Sequence, residues 1–399
     1  MSEYQYYEFL ALDQLLTPQE MAELRRISSR AEISPRHFFN TYDWGDLKAD
    51  PMELLARYFD AHVYYANWGT CWFAARLPQG TLDEKTIATC CPDLEGVVTY
   101  PVLEYHQAED CQLVRWYYNL ENWDEDFIED GEGWIERLTP LRGELLRGDY
   151  RSLYLGWLAS VSLQLKHYAG YDHYDGEALE SLLEPPPPPG LNRLSATQKA
   201  LVEFLAIDPD LVYATGIGTQ GEVPDRFSED RVRNWVSRQN PERLQELVTT
   251  LLLQGGGKAE ALARRLYLAA DQPIGEPASQ GKRRTVAELL ALAEGVRRVR
   301  LEREAKARAA AEAERRRRRE AFLRRLMTDP EPVWRAVEAG IERKNAKGYA
   351  DAVHYLQDLA EGYRLEGQAE EFQRRFRSLM EPYGNRRALW QRLKDAGLA

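Results

Sequence analysis

The chain has 399 residues, 44% of them hydrophobic, and a formal net charge of −12. That length exceeds one small core and suits two or three domains, while the apolar fraction is that of an ordinary folded protein. No run approaches the roughly 18 apolar residues of a membrane span, the opening MSEYQYYEFL lacks the pattern of a secretory signal, and the four cysteines form no C-x-x-C pair, so a reduced, cytoplasmic protein with no membrane partner is expected.

In chain order, YQYYEFLAL (Tyr4–Leu12) reads as a strand. TPQEMAELRRISS follows as a helix, with Thr17 at the N-cap, Pro18 at the first position and Glu20 closing a capping box. EISPRHFFNTYDW reads as a loop and a second strand. DPMELLARYFDAHVYYANWG opens on Asp50-Pro51 and reads as one mostly buried helix stopped by Gly69. TCWFAARLP and CQLVRWYYNL are strand candidates, and SLYLGWLASVSLQLKHY is a helix. The class expected for residues 1–184 is therefore α+β, or mixed α/β, with the strand order unreadable.

Pro185–Pro189 form a stiff polyproline spacer, placing a linker at 185–192. A small helical domain is expected over 193–283, from SATQKALVEFLAIDPDLVYA with Ser195 as cap, RVRNWVSRQ, and PERLQELVTTLLLQGGGKAEALARRLYLAA split at Gly255–Gly257. Residues 284–328 contain no proline and form a long basic helix of about 60 Å at 1.5 Å per residue. Four shorter helices joined by glycine turns make a helical-hairpin tail over 329–399, with Tyr349, Ala352, Val353, Leu356 and Leu359 on one apolar face.

Few residues carry recognisable chemistry. Gly216–Gly221 match G-x-G-x-x-G, but Pro224 blocks the helix that a dinucleotide turn requires, so an interhelical loop is expected. His167, His173 and Asp175 are weak metal candidates in a polar stretch that reads better as linker. Asp43, Asp46 and Lys48 satisfy only the acid-x-Lys end of a metal-dependent nuclease pattern, which a glycine turn with a capping aspartate also explains. Cys90 and Cys91 read as small buried apolar residues. No cofactor is expected.

Charge is polarised. Residues 1–184 hold 14 Lys/Arg against 33 Asp/Glu, a net of −19, with seven acids in Glu121–Trp134 alone; residues 281–326 hold 16 against 7, a net of +9. The run Arg315, Arg316, Arg317, Arg318 and Arg319 points all round a helix, since each residue turns about 100°. Glu312–Arg316, Glu314–Arg318, Glu294–Arg298 and Glu304–Arg308 are favourable i,i+4 pairs. The run lacks aromatics to stack on bases. It reads as a solvent-bridging helix, or one that docks on this chain's own acidic region, with nucleic-acid binding through residues 297–325 as the alternative.

The motifs YYEFLALDQLLTPQEMAELRRISSRAEI and YFDAHVYYANWGT, with the linker PPPPPGLNRLS, resemble a family of uncharacterised bacterial proteins with no assigned reaction. The tail YADAVHYLQDLAEGYRLEGQAEEFQRRFRSLMEPYGNRRALWQRLKDAGL looks like the helical C-terminus of bacterial SWIM zinc-finger proteins. Those carry zinc on C-x-C…C-x-H. This chain has no C-x-C, so only a helical interaction tail is implied. The functional expectation is a non-enzymatic adaptor in a multi-protein system, binding another protein through Trp44 and Trp68 or through the tail face around Tyr349 and Leu356. A metal-dependent hydrolase in the N-terminal domain is the third reading.

Overall fold

A computed structural model describes residues 3–90, 94, 97, 98, 101–119, 130–168, 176–219, 221, 223, 225–254, 256–270 and 283–398, apart from the side chains of 167, 168, 254, 256–258 and 261. The chain forms two compact units, Met1–Arg298 and Val299–Ala399.

The first unit is built on a seven-stranded sheet: β1 Gln5–Leu10, β2 Glu32–Ile33, β3 His37–Tyr42, β4 Ala61–Ala66, β5 Thr70–Pro78, β6 Leu103–Gln107 and β7 Cys111–Asn119. Every pairing is antiparallel, in the order β2-β3-β1-β4-β5-β7-β6. Helices α1 Pro18–Ile27 and α2 Pro51–Tyr58 serve one face, where Leu24, Leu55 and Phe59 meet Tyr7, Phe9, Phe38 and Tyr64. The start of α1 is the expected capping box, with Thr17 N donating to Glu20 Oε2 at 2.7 Å and Glu20 N to Thr17 Oγ1 at 3.2 Å.

After α3 Glu84–Cys90, the helices α4 Trp134–Leu138, α5 Pro140–Leu146 and α6 Arg151–Tyr168 cover the other face, joined there by residues of a later helix over Ala196–Phe204. On that face Leu138, Leu145, Trp157 and Phe204 pack with Tyr6, Val63, Phe73 and Trp116. Each fully buried side chain of this size contributes about 1.5–3 kcal/mol. The chain continues through α7 Gly176–Ser181, α8 Ala196–Phe204, α9 Pro209–Gly216, α10 Glu229–Ser237, α11 Pro241–Gln254 and α12 Gly256–Ala270. The α+β class followed by helices is as expected.

Three readings change. The helix expected over residues 50–69 ends at Tyr58, and Ala61–Ala66 is the central strand β4. Ala61, Val63 and Tyr65 enter one core while Tyr64 and Ala66 enter the other. With both faces buried, the polar–apolar alternation that marks a strand is missing. Gly69 (φ +98°) is the left-handed residue of the β4–β5 hairpin, not a helix stop. Secondly, the helix expected from Ser195 breaks at Ala206 (φ +46°), and Asp208 caps a new one at Pro209.

Thirdly, the proline run does not separate one core from another. The cluster holding Trp116 continues through Leu191, Leu201, Tyr267, Val286, Leu289 and Ala293. The run is fastened at both ends. Buried Glu184 meets Arg284 Nε at 2.6 Å and accepts from Tyr154 Oη at 2.9 Å, while Arg151 Nη1 donates to Gly190 O at 3.0 Å. The G-x-G-x-x-G loop closes on the same place: Gly190 N donates to Thr219 O, and a Cβ on Gly221 would sit 3.1 Å from Pro189. Those glycines permit close backbone packing.

Helix α13, Val286–Thr328, runs 43 residues and begins in the first unit and ends in the second. The tail is α14 Glu331–Glu342, α15 Ala346–Leu365, α16 Ala369–Met380 and α17 Arg387–Asp395, around Trp334, Val337, Leu356, Leu359, Phe372 and Leu389. Helices α14 and α15 approach closely at Gly340 and Gly348, where a Cβ on Gly340 would lie 2.8 Å from the Gly348 carbonyl. Among the described residues, no helix is long and apolar enough to cross a membrane.

Candidate interaction surface

Strand register brings Trp44 and Trp68 to one end of the sheet. Gln5 opens β1 and pairs with Tyr42 on one side and Ala66 on the other. Trp44 lies two residues past Tyr42 and Trp68 two past Ala66, so the two flank the entry to β1. Trp44 is 75% exposed and Trp68 44%. Single exposed apolar residues are ordinary, but two tryptophans at one sheet end are not.

Both loops are held by β1. The buried Gln5 donates from Nε2 to Gly45 O at 2.8 Å and accepts on Oε1 from Tyr7 and Tyr64, each at 2.9 Å. The single Tyr7 Oη proton is shared between Gln5 Oε1 and Asp46 Oδ1, and Asp46 Oδ1 also accepts from Leu47 N at 2.7 Å. Gly45 supplies the left-handed turn (φ +84°) that faces Trp44 outward. On the other side, Tyr4 N donates to Asn67 Oδ1 at 3.0 Å and Asn67 N to Tyr4 O at 3.0 Å, fixing the hairpin that carries Trp68.

The surroundings are acidic. Burial, followed by the charges of Asp130, Asp43 and Glu132, raises the pKa of the Tyr4 phenol. Gly131, between two of them, lies against the Tyr6 ring, where any side chain would collide. Asp43, Trp44 and Asp46 are exposed. Indole faces attract cations, and carboxylates add charge of the matching sign.

The other sequence candidates fare differently. Asp43 and Lys48 are exposed, and Asp46 is engaged by Tyr7 and the Leu47 amide. His173 and Asp175 lie outside the described residues, as do the His167 side chain, Cys91 and residues 121–129 of the acidic loop. Among the described residues, no group of three or more His, Cys, Asp or Glu could hold a metal. Leu356 is fully buried and Tyr349 half-buried against the same cluster, so the tail's apolar stripe is its own core and not a free face.

Helix α13 is exposed from Arg298 to Arg318. Of the expected pairs, Glu314–Arg318 forms at 2.8 Å. Arg316 takes Glu320 at 3.3 Å instead of Glu312, and Glu304 takes Arg300 at 3.0 Å instead of Arg308. Glu294 takes Arg297, not Arg298. Arg319 reaches the tail, with Nη2 2.7 Å from buried Asp358 and 2.5 Å from Glu361; the Asp358 contact is close but not aligned as a hydrogen bond. Arg315 and Arg317 make no ion pair among the described residues.

Two features lie beyond the expectations from sequence. One is a cross-strand row on the sheet, Tyr7–Tyr64–Trp72–Tyr117, with Tyr64 and Trp72 stacked at 3.9 Å and Arg115 5.6 and 5.3 Å from the Trp72 and Tyr117 rings. The alternation of Arg115, Tyr117 and Asn119 in CQLVRWYYNL is its signal. The other is the leucine-rich end of α11, legible as VTTLLLQ. Comparisons of the chain with models of known families, with curated proteins and with solved structures give no match.

Proposed function

We propose that the protein is a non-enzymatic adaptor that receives a lysine- and arginine-rich segment of another protein at the tryptophan-bearing end of its sheet. The observation that carries this reading is the pair of exposed indoles, Trp44 and Trp68, at one end of the sheet, with Asp43 next to Trp44 in the chain and the charges of Asp130 and Glu132 acting on Tyr4, whose backbone pairs with Asn67 beside Trp68. An exposed cation–π contact contributes about 0.5–1 kcal/mol. Two of them, with the acidic field steering approach, suit a reversible encounter better than a permanent complex.

The test is fluorescence anisotropy of labelled lysine- and arginine-rich peptides against the full chain, with neutral scrambles as controls. Binding weakens with added salt and falls at least severalfold in Trp44→Ala/Trp68→Ala and in Asp43→Asn/Asp130→Asn. Equal binding of neutral peptides, or unchanged affinity in both variants, rejects the reading.

One observation favours a second reading, in which exposed Arg315 and Arg317, lacking ion-pair partners among the described residues, meet phosphates. Titration of duplex DNA and RNA against salt tests it. Affinity that persists when Arg315–Arg319 become glutamine excludes that role.

A further inference from the structure

We propose that an ordered water molecule is held inside the first unit over Ala74, bridging the imidazole of His62 and the indole of Trp72, an inference independent of the cationic-segment reading. Strand register places these groups. His62 of β4 pairs directly with Ala74 of β5, and Trp72 and Arg76 are the next side chains on the same face, one on each side of Ala74. Arg115 of β7 stands opposite Ala74 on its other flank. The methyl group of Ala74 is thus ringed by larger side chains. The imidazole and indole rings meet edge to face, 6.0 Å between centroids and 72° between planes. His62 Nε2, Trp72 Nε1 and Arg76 Nε are all buried polar atoms with no hydrogen-bond partner among the described residues. The other such atoms among the described residues lie on α6, α10 and α15. A buried polar atom left without a hydrogen bond costs about 1–3 kcal/mol, so three on one patch of sheet call for a shared partner.

Chemistry selects that partner. His62 Nδ1 lies 2.9 Å from Glu8 O, and a carbonyl only accepts, so Nδ1 carries the proton and Nε2 of the neutral ring offers a lone pair. Trp72 and Arg76 offer N–H donors. The occupant must therefore accept and donate at once. An anion would face the lone pair of His62. A cation would face two N–H groups, with the Arg115 guanidinium 5.6 Å from the Trp72 ring. His62 and Ala74 are fully buried, which restricts the occupant to a molecule the size of water. A water here accepts from Trp72 and Arg76 and donates to His62, the three or so hydrogen bonds that buried waters usually make.

A high-resolution crystal structure of the full chain tests the proposal. A solvent peak is expected within hydrogen-bond distance of both His62 Nε2 and Trp72 Nε1. In solution, the Trp72 indole proton of the full chain labelled with ¹⁵N-tryptophan, assigned by its loss in Trp72→Phe, should show cross-relaxation with water of the sign given by a long-lived bound molecule. Ala74→Ser supplies a hydroxyl in the place of the water, so the cross-peak disappears while the melting temperature changes little. Ala74→Val fills the same place without a polar atom, so the cross-peak disappears and the melting temperature falls. A map with no solvent peak shared by the two rings overturns the proposal, and so does an indole proton without water cross-relaxation. Both of those readouts come from the wild-type chain, so they decide the matter even where a substitution at Ala74 prevents folding. Cationic-peptide binding stays intact in Ala74→Ser, which keeps failure of this proposal distinct from failure of the other.

Discussion

Replacing His62 with phenylalanine removes much of the acid sensitivity that this one ring gives the first unit. His62 is fully buried in β4, stacked on Phe9 at a centroid distance of 3.8 Å, with Nδ1 2.9 Å from the Glu8 carbonyl and Nε2 unpartnered. Burial drives its pKa from 6.5 down to about 3; the Glu8 hydrogen bond opposes that shift and the Arg115 charge adds to it. The unfolded chain takes a proton on this ring below about pH 6.5 and the folded chain only near pH 3. Between those values the unfolded state binds more protons, so stability falls as pH falls. One unit of difference is worth about 1.4 kcal/mol, which gives a loss of about 2 kcal/mol from pH 7 to pH 5 and about 3 kcal/mol by pH 4. Phenylalanine preserves the stack on Phe9 and has nothing to protonate. Urea denaturation of wild type and His62→Phe at pH 7, 5 and 4, followed by circular dichroism, supplies the comparison. The carboxylates titrate in both proteins, so the difference between the two pH dependences isolates His62. The variant should retain about 2 kcal/mol more of its neutral-pH stability at pH 5 than wild type does. Parallel pH profiles would refute the reasoning.

Three further outcomes rest on particular contacts. Arg319→Gln strips buried Asp358 of its nearest cation; with the arginine itself partly exposed, the loss is about 1–2 kcal/mol in urea melts of the tail, while Arg315→Gln leaves stability unchanged. Gly348→Ala forces a methyl group onto the Gly340 carbonyl and pushes α14 away from α15, lowering stability by about 1–3 kcal/mol, read as a fall in melting temperature. Gln5→Leu unties Gly45, Tyr7 and Tyr64 together, so amide hydrogen exchange rises over residues 43–47 and cationic-peptide binding weakens while Trp44 and Trp68 remain present.

The sequence is legible where the chemistry is local. The Thr17–Glu20 box, the caps at Asp50 and Ser195, and the uninterrupted α13 depend on residues within one turn of each other. Strand β4 reads as helix because its neighbours bury both of its faces, a property of the sheet and not of the segment. The apolar stripe of α15 is legible as a stripe, but its spacing is the same whether it meets a partner or its own bundle. Trp44 and Trp68 both stand out in the sequence; only the pairing of Gln5 with Tyr42 and Ala66 reveals that they share one end of the sheet. The arginine run divides in the same way. Arg318 finds the glutamate one turn back, as local spacing predicts, while Arg319 finds Asp358, 39 positions along the chain.

The single core that spans the proline run sets a timetable for synthesis. Trp116, Trp157 and Leu201 belong to a cluster that also needs Val286, Leu289 and Ala293. At translation speeds of about 5–20 residues per second, roughly 5–20 s separate the emergence of Glu184 from that of Ala293. During that interval the nascent sheet has its strands but not its closing residues, and its apolar side is open to solvent or to a chaperone. A chain cut at the prolines would be stopped at that stage permanently, so a fragment ending there should aggregate where the longer chain folds.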